Sequence, residues 1–213
     1  IVQDTAWDGY EEIPAWIMQG YGTMAMEAGE QLKAQGCERP THIFVQAGVG
    51  SLAGAVVGYF ANLYADNPPT FVVVEAEAAA CLYKGAAAGD GDIRIVDGDM
   101  QTIMAGLACG EPNTISWDIL KNHVKVFIAA PDWVAANGMR MLAAPIKGDA
   151  SITSGESGAA PFGALAAMTT LDEYEQLKKD IGLDENSRVL LFSTEGDTDP
   201  DRYKNIVWKG LDK

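Results

Sequence analysis

Short β-branched runs alternate with longer helical segments along almost the whole chain, and this order limits the fold more than any other feature. Strands are predicted at 41–46, 70–75, 125–129 and 188–193, with a weaker one at 93–96. The run 70–75 (TFVVVE) is apolar on both faces, which is typical of strands inside a parallel sheet. The alternation predicts an α/β fold, with a mostly parallel twisted sheet and helices on both faces.

The segments between these runs are predicted to be helical. They cover residues 14–35, 51–64, 78–88, 117–122, 131–142, 157–168 and 171–181. Ser116 is the expected N-cap of the fourth helix, and Pro131 stands in the first turn of the fifth. The polar tail 201–213 is predicted to be a loop. In sheets of this kind ligands bind at the carboxyl ends of the strands, so a site is expected there.

The sharpest local pattern follows the first predicted strand. Gly48 and Gly50 turn the chain after Gln46, and a helix begins near Ser51. Glycines let successive backbone N–H groups point inward, and the helix dipole adds partial positive charge, to which Ser51 can add a hydroxyl donor. The pattern therefore predicts a phosphate-binding loop. The alternative is that the glycines only allow close packing of helix on strand.

The loop also matches the pattern that binds the phosphates of a dinucleotide. Residues 48–53 match G-x-G-x-x-[GA], and Glu75 ends the next strand, where a dinucleotide fold keeps its ribose-binding acid. A nicotinamide-dependent oxidoreductase domain is therefore an open alternative. The chain has no GKS or GKT sequence, which excludes a P-loop NTPase.

The charge balance excludes two classes of partner. Fifteen Lys and Arg stand against thirty Asp and Glu, giving a net charge of −15 over 213 residues. Such a surface repels phosphate backbones and anionic lipid, so we expect neither a nucleic-acid nor a membrane partner. The uncharged stretch 43–65 is long enough to span a bilayer, with Gly54 and Gly58 at small-residue spacing, but strand, turn and helix explain it better.

Cysteine usage and the remaining candidate side chains give weaker signals. Three cysteines and two histidines fit a reducing cytoplasm and no disulfide scaffold. Cys81 and Cys109 are expected to be buried free thiols, with a redox-sensitive pair as the alternative. Asp4 lies before an aromatic cluster, where it is either a partly buried carboxylate or a loop residue. The acidic run 197–201 is expected to be a solvated turn, with no metal site.

Several segments together resemble one family, the fold-type II pyridoxal-phosphate enzymes related to threonine dehydratase and the tryptophan synthase β-subunit. They are QGYGTMAMEAGEQL (19–32), QAGVGSLAGAV (46–56), VVVEAEAAACLYKG (72–85), SGESGAAPFGAL (154–165) and LLFSTEGDTDP (190–200). Ala76 departs from the proline usual after the second strand. At closer range the segments 3–24 and 191–201 resemble the branch of that family that acts on 2,3-diaminopropionate.

The resemblance implies a cofactor, a reaction and a set of site residues. Pyridoxal 5′-phosphate would serve as electron sink while ammonia is eliminated from 2,3-diaminopropionate, giving pyruvate and a second ammonia. Asp4 would bind the substrate ammonium or move a proton, and Glu156 would lie near the cofactor ring. Thr194 or Ser193 would contact the ring nitrogen. The phosphate would be held by the loop residues, Gly48, Val49, Gly50, Ser51 and Leu52.

The family's Schiff-base lysine has no counterpart in the sequence. The only lysine before Gly48 is Lys33, which is expected on the polar side of a helix. The chain is therefore expected to be an incomplete two-domain enzyme that lacks an amino-terminal segment and is inactive alone. The family also implies a homodimer and a small amino-acid substrate. A non-catalytic binding module that kept the fold is the third open interpretation.

Overall fold

The computed structural model describes residues 2–212, and its centre is one four-stranded sheet. The strands are β1 (His42–Gln46), β2 (Thr70–Ala76), β3 (Val124–Ala130) and β4 (Val189–Leu191). All pairings are parallel, and the order across the sheet is β3-β2-β1-β4. The predicted α/β class is confirmed. Because β1 is flanked on both sides, its carboxyl end lies in the middle of the sheet edge where ligands bind.

Helices connect the strands and cover both faces of the sheet. The α-helices of the described residues are α1 (Glu12–Ala34), α2 (Ser51–Leu63), α3 (Cys81–Ala88), α4 (Thr114–His123), α5 (Asp132–Ala143), α6 (Glu156–Thr170), α7 (Glu175–Ile181) and α8 (Pro200–Val207). Short 3₁₀ turns lie at Glu77–Ala79, Ala105–Leu107 and Asp172–Tyr174. No helix within residues 2–212 has the length and apolar content needed to cross a bilayer.

Two apolar cores lie on opposite faces of the sheet because successive strand residues point in opposite directions. Phe44 and Val72 enter the core formed with α5, α6 and α8. Val45 and Phe71 enter the second core, which contains side chains of α2 and α4. This double burial explains the continuous apolar runs of β1 and β2.

Glycines allow two helix pairs to approach closely. A Cβ on Gly138 of α5 would lie 2.6 Å from the Ala159 carbonyl oxygen of α6. A Cβ on Gly54 of α2 would lie 2.6 Å from the Ser116 Cβ of α4. Gly54, one of the small residues at that spacing in α2, therefore serves close packing between helices.

Two predicted details of the central segment are wrong. The stretch 93–96 is not a strand, because the Val96 N–H donates to the Gly110 carbonyl of a loop at 2.8 Å instead of pairing with the sheet. Helix α4 begins three residues earlier than predicted. Asn113, rather than Ser116, is its N-cap, since the Asn113 side-chain oxygen accepts from the N–H groups of Ile115 and Ser116.

The predicted carboxy-terminal loop is also wrong over most of its length. Asp199 caps α8 by accepting from the Arg202 N–H at 3.0 Å. Ile206 is fully buried, and Arg140 of α5 donates to the Ile206 and Leu211 carbonyls. Lys213, the last residue of that predicted loop, lies outside the described residues.

Candidate functional site

The glycine loop between β1 and α2 presents free backbone donors. Gly50 has φ +101°, in the left-handed region that favours glycine, and directly precedes the first residue of α2. Within residues 2–212, no protein group accepts a hydrogen bond from the N–H of Gly48, Gly50, Ser51 or Leu52. Free N–H groups at a helix N-terminus bind anions, and a phosphate monoester matches this donor set.

A neighbouring segment holds the loop in this shape. The Asn113 N–H donates to the Val49 carbonyl at 2.8 Å. A Cβ on Gly48 would lie 3.2 Å from the Gly106 carbonyl oxygen and 3.4 Å from the Cys109 side chain. The loop is therefore closed in from the side of the Ala105–Leu107 turn, and any side chain at position 48 would crowd it.

The loop forms one wall of a cavity of about 340 Å³ at the carboxyl end of β1. This is at the small end of the range for ligand sites. Of the predicted site residues, the cavity brings together Asp4, Gly48, Val49, Gly50, Ser51, Leu52 and Thr194. It does not include Glu156 or Ser193. Its other lining residues are Tyr21, Gln46, Ala47, Gly106, Leu107, Cys109, Ser157 and Glu195.

Asp4 is tied to the cavity wall through its backbone. The Ser51 hydroxyl donates to the Asp4 carbonyl at 2.9 Å, and the Asn113 side-chain amide donates to the same oxygen at 2.6 Å. The Ser51 hydroxyl thus helps to hold the Asp4 backbone in this structure, and the Ser51 backbone N–H has no acceptor among residues 2–212. The half-buried Asp4 side chain lines the cavity.

Asp4 influences two ionisable neighbours. Burial, followed by the Asp4 charge, raises the pKa of the Tyr21 hydroxyl and of the Cys109 thiol. Both groups are therefore held more firmly in their neutral forms. Cys81 and Cys109 are free thiols, as predicted, but only Cys81 is buried and Cys109 is half-buried. Burial raises the pKa of Cys81 to about 12.

Thr194 faces the loop from the segment after β4. Its hydroxyl oxygen accepts a hydrogen bond from the Gln46 side-chain amide at 2.9 Å. The neighbouring Ser193 hydroxyl instead donates to the Ser154 hydroxyl at 2.8 Å. Of the two predicted ring contacts, Thr194 is therefore the one that lines the cavity.

Two glutamates lie beside the start of α6. Glu195 accepts from the backbone N–H groups of Ser157 at 2.7 Å and Gly158 at 3.3 Å. Glu156 is buried, and its carboxylate lies 3.4 Å from the Arg202 Nε, away from the cavity lining. Burial raises the pKa of Glu156. The Ser157 hydroxyl is buried without a partner among the described residues.

Glu75 argues against the dinucleotide alternative. It is 1% exposed, and its carboxylate accepts from the N–H groups of Leu82 at 2.8 Å and Tyr83 at 2.6 Å. Both oxygens thus face the start of α3 and none faces the cavity. A ribose in the cavity would find no acid at the end of β2.

Sequence reasoning missed several cavity residues. Gln46 carried a usable signal, because it ends a predicted strand beside the glycine loop. Ser157 and Glu195 lie inside segments that the sequence had singled out. Asn113 lies outside the cavity lining and holds Asp4 in place; no sequence pattern pointed to it, because the two residues are 109 positions apart.

Comparisons with known proteins give a consistent result. The family model described as "Pyridoxal-phosphate dependent enzyme" matches residues 6–194. Diaminopropionate ammonia-lyase of Salmonella typhimurium is 54% identical over 211 residues, covering 99% of this chain and 52% of that protein. The protein of that name from Escherichia coli K12 is 49% identical over 210 residues, covering 99% of this chain and 52% of that protein. The chain thus spans about half the length of these curated relatives.

Solved structures agree. Diaminopropionate ammonia lyase from Escherichia coli, in complex with an aminoacrylate-PLP azomethine reaction intermediate, superposes with a TM-score of 0.91 at 47% identity, covering 99% of this chain and 53% of that one. Maize serine racemase shares the fold, with a TM-score of 0.68 at 21% identity over 91% of this chain and 54% of that one. The family match extends over most of the chain and includes the glycine loop, β1 to β4 and Thr194, and so this chain belongs to the pyridoxal-phosphate dependent enzymes.

Proposed function

We propose that this chain is part of a pyridoxal-phosphate dependent ammonia-lyase that converts 2,3-diaminopropionate to pyruvate and ammonia. One observation carries the proposal: a single cavity unites the free N–H groups of the glycine loop with the Thr194 hydroxyl and Asp4. The similarity to diaminopropionate ammonia-lyases, at 54% and 49% identity, supports the choice of substrate.

The cavity has the donors that pyridoxal 5′-phosphate requires. The four free N–H groups of the loop fit a phosphate, and they face the segment that carries Thr194. The buried Ser157 hydroxyl, which lacks a partner among residues 2–212, offers a further polar group. When bound, the cofactor supplies an electron sink for the bond broken at the substrate.

Each predicted site residue has a role in the proposal. Residues 48–52 would hold the phosphate through their backbone, with free N–H groups at four of the five positions, and the Thr194 hydroxyl would donate a hydrogen bond to the ring nitrogen. Asp4 binds a substrate ammonium or moves a proton at its carboxylate. Glu156 and Ser193 do not line the cavity and act indirectly. Glu156 acts through the start of α6, and Ser193 acts through its hydrogen bond to Ser154.

The reactive lysine comes from outside this chain in the proposal. Within residues 2–212, no lysine lines the cavity, and Lys33 is exposed on α1. The chain therefore supplies one half of the site, and the part of its relatives' length that it does not cover supplies the other. The whole protein is proposed to be cytoplasmic and to form a homodimer. Sedimentation of the whole protein would test the homodimer.

Charge at the start of α2 tests the phosphate site. We expect Leu52→Asp to weaken binding of pyridoxine 5′-phosphate at least tenfold, about 1.4 kcal/mol or more, because a carboxylate beside the loop repels the phosphate. The helix dipole favours an aspartate there, which limits the loss of stability. Calorimetric titration measures the affinity. Leu52→Asn, with the same shape and no charge, is the control and should bind more tightly than the aspartate variant by that factor.

A chimera tests the reaction and the substrate. The part of the Salmonella typhimurium relative that this chain does not cover, joined to this chain, should form pyruvate from 2,3-diaminopropionate, while the chain alone should not. Turnover by the chain alone would contradict the proposed half-site. A folded chimera that binds the cofactor and leaves diaminopropionate unchanged would support the non-catalytic interpretation of this half.

A further inference from the structure

We propose that Gln46 is a positioning residue that directs the Thr194 hydroxyl proton toward the ring nitrogen of the cofactor. The inference rests on the proposed function and deepens it. It concerns a buried amide whose bonds decide which way a hydroxyl at the cavity donates.

Gln46 is held rigidly at the carboxyl end of the central strand β1. Its side chain is only 2% exposed. Its Nε2 donates to the Phe192 carbonyl at 3.0 Å and to the Thr194 hydroxyl oxygen at 2.9 Å. The amide therefore links β1 to the segment after β4, across 146 and 148 positions of sequence.

The orientation of this amide is determined by its partners. The Phe192 carbonyl can only accept, so the amide nitrogen must face it. The reversed amide would place two carbonyl oxygens against each other. The Gln46 Oε1 is buried without a hydrogen-bond partner among the described residues, so the fold keeps this orientation even though one acceptor remains unsatisfied.

The orientation of the Gln46 amide limits the hydrogen bonds that the Thr194 hydroxyl can make. A hydroxyl has one proton and two acceptor sites, and Gln46 occupies one of the acceptor sites. No group within residues 2–212 accepts from the Thr194 hydroxyl. A donated hydrogen bond is therefore the one that the hydroxyl still lacks, and an unprotonated ring nitrogen in the cavity would be its complement.

Reversing the amide chemistry tests the inference. In Gln46→Glu, the new side chain has at most one O–H group, which donates a hydrogen bond to the Phe192 carbonyl. The other carboxyl oxygen can only accept, so the Thr194 hydroxyl must donate to position 46. The measurement compares affinities for pyridoxine 5′-phosphate and for its analogue with C–H in place of the ring nitrogen. We expect the wild-type chain to prefer the nitrogen compound by tenfold or more, and Gln46→Glu to lose that preference while inorganic phosphate binds as before.

Matched variants separate the outcomes. Thr194→Val should also lose the preference, and Gln176→Glu, the same change at an exposed position of α7, should keep it. If Gln46→Glu does not fold, Gln46→Met replaces it: this variant keeps the volume, removes both donors, leaves the Thr194 hydroxyl undirected and should therefore reduce the preference. If the position-46 variants keep the preference for the nitrogen compound and Thr194→Val loses it, the role of Gln46 is wrong and the proposed function still stands. A wild-type chain that binds neither compound would overturn the proposed function as well.

Discussion

Glu75 is an ionisable side chain enclosed in the core, with its carboxylate at the start of α3. Burial raises its pKa to about 7, although the N–H groups of Leu82 and Tyr83 act in the opposite direction. The folded state therefore keeps a proton that the unfolded state, with a pKa near 4.5, has released. The free energy of unfolding should fall as pH rises from about 4.5 to 7 and then level off, because the stabilising proton is lost in that window.

The non-titrating variant Glu75→Gln isolates this contribution. Its free energy of unfolding, subtracted from that of the wild type, should give a difference that falls by up to about 3 kcal/mol across the window. Urea unfolding at pH 5 and pH 8 measures it. Glu77→Gln, the same change at an exposed position two residues away, is the control. A difference for Glu75→Gln that stays constant with pH would contradict the buried titration.

Helix α2 packs on α4 through a surface that tolerates no side chain at one glycine and accepts one at the next. Gly54→Ala would bring its Cβ to 2.6 Å from the Ser116 Cβ and 3.1 Å from the Ser116 Cα, so we expect a loss of about 1–3 kcal/mol from overpacking. Gly58→Ala meets only Ile119 side-chain atoms at 3.7 Å and should gain up to about 1 kcal/mol of helix propensity. Thermal melting compares the two; equal changes would contradict the packing argument.

The chain's last helix is part of the main core, which joins residues from across the molecule. Ile206 is fully buried in the cluster that contains Phe44 and Met139, so Ile206→Ala should cost about 2–5 kcal/mol through the cavity it leaves. Trp208, 77% exposed two residues later, should change stability by about 0.5 kcal/mol or less on replacement by alanine. Urea unfolding measures both. Similar small losses would mean that α8 is not integral to the folded domain.

Local sequence patterns suffice to predict the α/β class, the parallel pairing of the main strands and the position of the glycine loop. Each of these follows from local chemistry: apolar runs buried on both faces, and glycines between a strand and a helix. The family resemblance rests on motifs of the same local kind, which explains why the comparisons confirm it. Asp4 and Thr194 were found in this way too, and the structure places both at the loop.

Which polar group bonds to which neighbour depends on how the whole chain packs. The sequence could not show that Glu75 turns to α3, that Gln46 reaches Thr194, or that α8 closes the core over Ile206. These partners lie far apart in sequence or depend on which side of an element faces inward. A hydrogen bond requires donor and acceptor within about 3 Å, and only the packed chain sets that distance.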